Sequence, residues 1–452
     1  MKLLVLSLLA AAGPLELSEV TASTLRHHPL VLSNLADVTG ADAEAVAARG
    51  AFDPLLRGRA SVTPASGYPS GRVDAWVDVP TPLWGTSFSA GYRLGAGSFA
   101  PYYGERETDA WGELRAGLSI PVLRNGPTDR RRATIERAAL GRRVAQLALE
   151  QQRLELRRQA ALRWLRWVAA GERRALAKSL LDLAKTRQAQ LDERARSGDL
   201  PAIDALDNRR AIVQRESLLV LAQRGLEEAT CELSLFFRDE DGAPIIVDAA
   251  RLPPSLAAPD TLPSSASLEE ALVRRPDVAR LEAQGSQAQV EVDLARNQLL
   301  PAFDVSAFVS KDLGPSLEPK RGIPEVELMV SIEVPLLYRQ LLGRLDSARL
   351  AERRIDLQTQ AQRERVRVEV ADALSASRAA SQRASLMLQE LELARALEEG
   401  EKKRLSLGDS TLFLLNLRES STFESALREV DARADWHKAW ADLSAALALP
   451  LG

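Results

Sequence analysis

The chain has 452 residues, a formal charge of −3, 27% charged residues and 5% aromatics. With an isoelectric point near 5.9 it carries no basic footprint for nucleic acid. The scarcity of aromatics suits long solvated helices better than one thick core. A single cysteine, Cys231, excludes an internal disulfide and reads as a small buried apolar residue.

Residues 1–12 open with one lysine, continue as an apolar run and end on Ala10-Ala11-Ala12. That is the form of a secretory signal peptide with an Ala10-x-Ala12 cleavage site. No later stretch approaches the ~20 apolar residues of a membrane helix. Any crossing of a bilayer would therefore have to be made by strands.

The rest is written twice. Leu25 to Pro29 answers to Leu272 to Pro276, and Pro54 follows Pro29 at the same interval of 25 as Pro301 follows Pro276. Ile120-Pro121-Val122-Leu123 answers to Val334-Pro335-Leu336-Leu337, and Gly198-Asp199 answers to Gly408-Asp409. Four landmarks in one order mark a duplicated supersecondary unit. The first repeat is 13–243: a helix, strands at 55–63, 72–79, 86–94 and 112–121, a long helix, a tip near 198 and a returning helix. Residues 244–263 hold Pro244, Pro253, Pro254, Pro259 and Pro263 and form an irregular linker. The second repeat is 264–452: a helix, strands at 302–310 and 325–334, a long helix, a tip near 408 and a returning helix.

Proline sets where long helices can run, because an interior proline breaks them. None lies between Pro127 and Pro201 or between Pro335 and Pro450. Leu140, Val144, Leu147, Gln151, Leu154, Arg158, Ala161, Leu165 and Val168 step by four and three, a coiled-coil seam. From about Arg130 to Arg196 such a helix would run roughly 100 Å, and about Leu345 to Leu407 offers a similar rod. Gly198 and Gly408 suit the left-handed backbone of a helix end. Asp199 and Asp409 read as caps of the returning helices, and Pro201 as a first-turn residue.

The strand segments alternate with period two. Leu56, Gly58, Ala60 and Val62 interleave with Arg57, Arg59, Ser61 and Thr63; Val326, Leu328, Val330 and Ile332 interleave with Glu325, Glu327, Ser331 and Glu333. A half-buried soluble sheet alternates in this way, and so does a transmembrane barrel with a wet interior. Tyr68, Trp76, Trp84, Phe88, Tyr92, Phe99, Tyr102, Tyr103 and Trp111 crowd one region, which fits interfacial girdles.

Sites for chemistry are scarce. His27, His28 and His437 form no cluster, and no phosphate loop or nucleophile–base set is evident. No catalytic, cofactor or metal residue is expected. Ser406 and Ser410 read as turn and capping residues, and Glu419 beside Arg418 as a solvated helix pair.

These landmarks together resemble the TolC-like outer-membrane efflux proteins over essentially the whole chain after residue 12. The resemblance implies α plus transmembrane β: a duplicated unit in a homotrimer, one shared β-barrel in the outer membrane and a long coiled-coil α-helical periplasmic barrel. It implies a passive exit channel of a tripartite efflux or type I secretion system, opened by a periplasmic adaptor, or membrane fusion, protein of an inner-membrane pump. Outer-membrane lipid is an expected partner and nucleic acid is not. The docking tips would be Gly198, Asp199, Leu200 and Asp204 with Gly408, Asp409, Ser410 and Leu412. Two departures stand out. The family typically gives four strands per chain where alternation here counts six, although 64–110 could instead be an elaborate surface hairpin. Many members carry carboxylates six and nine residues after the second tip glycine, where this chain has Leu414 and Leu417; the first copy has Asp204 and Asp207 instead. The candidate constriction is then Phe413, Leu414, Leu417 and Arg418, closing by exclusion of water. The other reading is a soluble periplasmic coiled-coil scaffold or adaptor.

Overall fold

The structure is a computed structural model describing residues 13–100, 107–197, 202–256, 268–315 and 322–449. The signal segment 1–12, the tip residues Gly198, Asp199 and Leu200, Pro201, and Tyr102 and Tyr103 lie outside them.

The duplication is visible as element order. The first repeat is α1 (Leu17–His27), α2 (Pro29–Arg49), β1 (Leu55–Thr63), β2 (Ser70–Pro80), β3 (Ser87–Gly97), β4 (Glu113–Pro121), α3 (Arg130–Arg196) and α4 (Ala202–Ser234). The second is α5 (Leu268–Arg274), α6 (Pro276–Asn297), β5 (Ala302–Asp312), β6 (Glu325–Glu333), α7 (Arg339–Ser406) and α8 (Leu412–Ala446). Pro29 and Pro276 each begin the second helix of a pair. A proline there is tolerated because the first-turn N–H has no helical partner, while the residue before it is pushed to extended backbone, as His28 is at φ −72° and ψ 129°.

The chain divides into two compact units, one made of 37–147 and 279–360, the other of 1–36, 148–278 and 361–452. The first contains a six-stranded antiparallel meander in the order β1-β2-β3-β4-β5-β6. The two repeats join where β4 pairs β5, Glu113 opposite Asp312 and Pro121 opposite Asp304. Of the alternative surface hairpin at 64–110, β2 and β3 are thus strands of the one sheet, and 101–106 lie outside the described residues.

Register decides what each face presents. Leu56 lies opposite Val77, Val77 opposite Ala90, Ala90 opposite Ala116, Ala116 opposite Val309 and Val309 opposite Val326. One face is apolar across all six strands. The other runs Arg59, Asp74, Arg93, Glu113 and Asp312 from strand to strand. Exposure is inverted relative to a soluble sheet: Leu56 is 76% and Leu328 77% exposed, whereas Asp74 and Glu113 are 8% and 5%. The polar side is the sheltered one, tied by Arg72 and Arg93 to Asp74 at 2.7 and 3.1 Å and by Arg93 to Glu113 at 3.4 Å. Trp76 lies on this polar side, opposite Arg57 and Gly91, and its indole donates to Asp78. It is no girdle residue. Trp84 and Phe88 at one end of the strands, and Tyr68 and Trp111 at the other, are exposed.

Gly117 shows how tightly the polar side is built. It lies opposite Phe308, whose ring occupies the space a side chain there would need: a Cβ would sit 2.1 Å from Phe308 Cδ1. The Arg115 guanidinium lies 4.4 Å over the same ring.

The other unit is helical. There α3 buries Ala161, Leu165 and Val168 of its seam, and Trp167 is wholly enclosed with its indole donating to Thr230 at 3.1 Å. α3 and α8 run antiparallel, as their ion pairs show: Arg158 with Asp442, Arg173 with Asp431 and Arg187 with Glu419. The α5–α6 pair packs Ala271 and Val278 against Val366, Val370, Leu443 and Ala446. Among its described residues, 244–256, the linker has a 3-10 turn, Ala249–Arg251, and is held where Leu15 N donates to the Arg251 carbonyl.

Gly117→Val should lower the unfolding temperature, an overpacking cost of about 1–3 kcal/mol. Adding Phe308→Ala should recover most of that loss. A double variant whose losses simply add would contradict the seat.

Candidate functional site: the second tip and a buried carboxylate

At the second tip α7 stops because Gly408 adopts φ +84°, a left-handed conformation costly for any other L residue. Gly408 N donates to the Leu405 carbonyl and Asp409 N to that of Arg404, which closes the helix end. Asp409 does not cap the returning helix, contrary to the sequence expectation. The reversal takes four residues, Leu407 to Ser410, so the cap falls on Thr411, whose hydroxyl accepts from Leu414 N. Ser410 donates to the buried Glu401 carboxylate, and Ser406 to the Lys403 carbonyl. In the first repeat Asp204 stands in the first turn of α4, and Asp207 pairs with Arg210 at 3.2 Å.

The first two turns of α8 divide sharply. Leu415 is buried and Leu412 half-buried. Phe413, Leu414, Leu417 and Arg418 are exposed, Phe413 at 62%. Leu407 before the turn is 77% exposed. In the single chain this apolar patch fills no core.

Sequence reading took Glu419 for a solvated partner of Arg418, and that is wrong. Its side chain is 1% exposed and lies between helices. It accepts from Arg187 of α3, 3.0 Å to Oε2, and from Arg215 of α4, also 3.0 Å. Arg187 also donates to Asn416 Oδ1 at 2.9 Å, and Arg215 to the Leu180 carbonyl at 3.0 Å. Burial alone would raise the Glu419 pKa, but hydrogen bonds and charge from the two arginines outweigh it, and the carboxyl is held below its ordinary value. Three helices from both hairpins thus meet on one carboxylate. The sequence did carry a signal: Glu419 follows buried Leu415 by four residues and so belongs to the buried stripe.

The sign of the pH dependence follows. A depressed folded pKa adds stability that is full above the unfolded value near 4.5 and is lost as pH falls through the folded one. Glu419→Gln should destabilise the folded chain at pH 7 by roughly 3–5 kcal/mol, because the buried Arg215 and the half-buried Arg187 lose their counter-charge. The gap to wild type should shrink below pH 4. Equal thermal stability of the two proteins at pH 7 would show the cluster to be energetically idle.

Comparison with known proteins agrees with this architecture. Residues 267–449 match the outer membrane efflux protein family. Over 248 residues the chain is 27% identical to the pyoverdine export outer membrane protein OpmQ of Pseudomonas aeruginosa, covering 54% of this chain and 46% of that one. It thus spans about half the length of that curated relative. A membrane protein of Pseudomonas aeruginosa superposes with a TM-score of 0.67 at 17% identity, covering 95% and 92% of the two chains. The MtrE outer membrane channel of Neisseria gonorrhoeae, in its open state, gives 0.66 at 18%, covering 96% and 89%. The Campylobacter jejuni CmeC outer membrane channel gives 0.64 at 14%, covering 95% and 85%. The second repeat thus matches the outer membrane efflux protein family, and nearly the whole chain shares the fold of solved outer membrane channels.

Proposed function

We propose that the protein is a passive exit duct through the outer membrane, serving a tripartite efflux or type I secretion system. The observation that carries this is the sheet whose apolar face is bare and whose polar face is sheltered. Such a sheet is stable only with its outside in lipid and its inside wet. A soluble periplasmic scaffold would leave that face in water.

The helices supply a second support. Leu206, Val213 and Val220 on α4 are seven residues apart and exposed, as are Leu386 and Leu393 on α7. Heptad spacing on an uncovered helix is a coiled-coil seam without its partner. In a ring of three copies, α4 of one and α7 of the next would cover each other.

Transport in this reading is geometry and gating. The chain has no energy-converting site among its described residues, and an inner-membrane pump would do the work. The tips, Gly198, Asp199, Leu200 and Asp204 with Gly408, Asp409, Ser410 and Leu412, would receive the adaptor. Phe413, Leu414 and Leu417, exposed in the single chain, would meet their symmetry mates and close the pore by excluding water. Arg418 would border that closure.

Two experiments test these assignments. Gly408→Asp should abolish export while trimer yield stays at the wild-type level, and wild-type export would refute the tip. Phe413→Ser or Leu414→Ser should raise the single-channel conductance of the purified trimer severalfold. Unchanged conductance in both, or strong block of the wild type by divalent cations, would contradict an apolar closure.

A further inference from the structure

Six strands in one continuous sheet leave two edges, β1 and β6, each nine residues long and exposed at every position. We infer that β6 of one copy pairs flush with β1 of the next, so that three copies close an eighteen-stranded barrel rather than a twelve-stranded one. This rests on the exit-duct reading, and the seam is where the two edges can be compared residue by residue.

Parity comes first. The apolar face must be continuous, so Leu56, Gly58, Ala60 and Val62 share a side with Val326, Leu328, Val330 and Ile332 of the neighbour. β1 and β6 lie at odd and even places of an antiparallel meander, so they meet antiparallel. The flush register sets Leu55 opposite Glu333 and Thr63 opposite Glu325 and leaves no residue of either strand unpaired.

That register meets a condition it was not chosen to meet. Moving straight across the sheet along paired residues leads from Leu55 through Asp78, Ser89, Gly117 and Phe308 to Glu327. In the flush register Glu327 faces Ser61 of the next copy. Each copy therefore advances the path from position 55 to position 61, a stagger of six residues over six strands. Six residues of rise across six strand spacings give a strand tilt of about 35°, inside the range of closed barrels. A slip of four residues that set Glu327 opposite Arg57 would give a tilt of only about 13°, outside that range.

Side chains agree as well. On the apolar side Gly58 and Ala60, the small residues of β1, meet Val330 and Leu328 of β6. On the polar side Arg57 lies diagonal to Glu333, and Arg59 diagonal to Glu327, within reach of long side chains. A basic edge thus faces an acidic one. Within a copy Arg57 already touches Asp78 at 3.4 Å, Glu333 touches Arg124 at 3.0 Å and Glu327 pairs with Arg115. The seam would extend these pairs into a belt around the inner wall.

The consequence is width. Eighteen strands at this tilt make a barrel about 34 Å across at the backbone, against about 23 Å for twelve. Barrels of sixteen to eighteen strands hold an aqueous channel.

The test uses the full chain, purified as a detergent-solubilised trimer. In a Cys231→Ser background, Ser61→Cys with Glu327→Cys should oxidise to covalent dimers and trimers on denaturing gels. Arg57→Cys with Glu327→Cys should not. Electron cryomicroscopy of the wild-type trimer should show the wider barrel. Trimers that fail to cross-link through Ser61 and Glu327, or a barrel near 23 Å, would overturn this inference and leave the duct reading standing. A chain that purifies without detergent would overturn both.

Discussion

A sheet with its oily side outward cannot persist in water, and the rest of the molecule follows from that constraint. Fourteen or so large side chains on one face, Leu56, Val73, Phe88, Leu114, Val309 and Leu328 among them, are largely bare. At about 25 cal/mol per Å² of apolar surface, each would cost on the order of 1.5–3 kcal/mol left in water. Lipid removes that cost. In the proposed duct, lipid would in turn forbid unpaired backbone, so the sheet would have to close, and closure would need further copies of the chain. The polar face then becomes an inner wall, where Asp74, Arg93 and Glu113 are charged and paired yet face no hydrophobic core.

The helical unit solves a different problem, that of holding very long helices together with few aromatics. Much of the work falls to ion pairs set along α3 and α8. Most are partly exposed and individually weak. Glu419 differs because it is buried and shared by Arg187 and Arg215. It joins α8 to α3 and α4 about two turns along α8 from the exposed Phe413.

How much of this was legible depends on whether a feature is local. Strands announced themselves because alternation has a period of two and needs no partner to be seen; Arg57 against Leu56 is enough. The opening segment of each repeat read as one helix, and the structure splits it in two at Pro29 and Pro276. What else failed was distant or parity-dependent. Glu419 looked solvated beside Arg418 because its true partners stand 232 and 204 positions away. Trp76 was counted with the girdles by its residue type, though Arg72, Asp74 and Asp78 share its parity and place it on the wet side. Asp409 resembled a cap until the turn proved two residues longer, with Thr411 in that role. Whether the strands within 64–110 formed a separate hairpin could be decided only by pairing, and pairing sets β2 and β3 between β1 and β4 of the sheet.

The most direct measurement of the central claim reads the two faces of one strand. Single cysteines placed in turn from Val326 to Ile332, in a Cys231→Ser background, would carry an environment-sensitive fluorophore in the reconstituted trimer. The account predicts quenching by nitroxide lipids at Val326, Leu328, Val330 and Ile332, and by aqueous iodide at Glu327, Met329 and Ser331. Iodide quenching at every position, or no alternation at all, would contradict a sheet that turns its apolar face to the membrane.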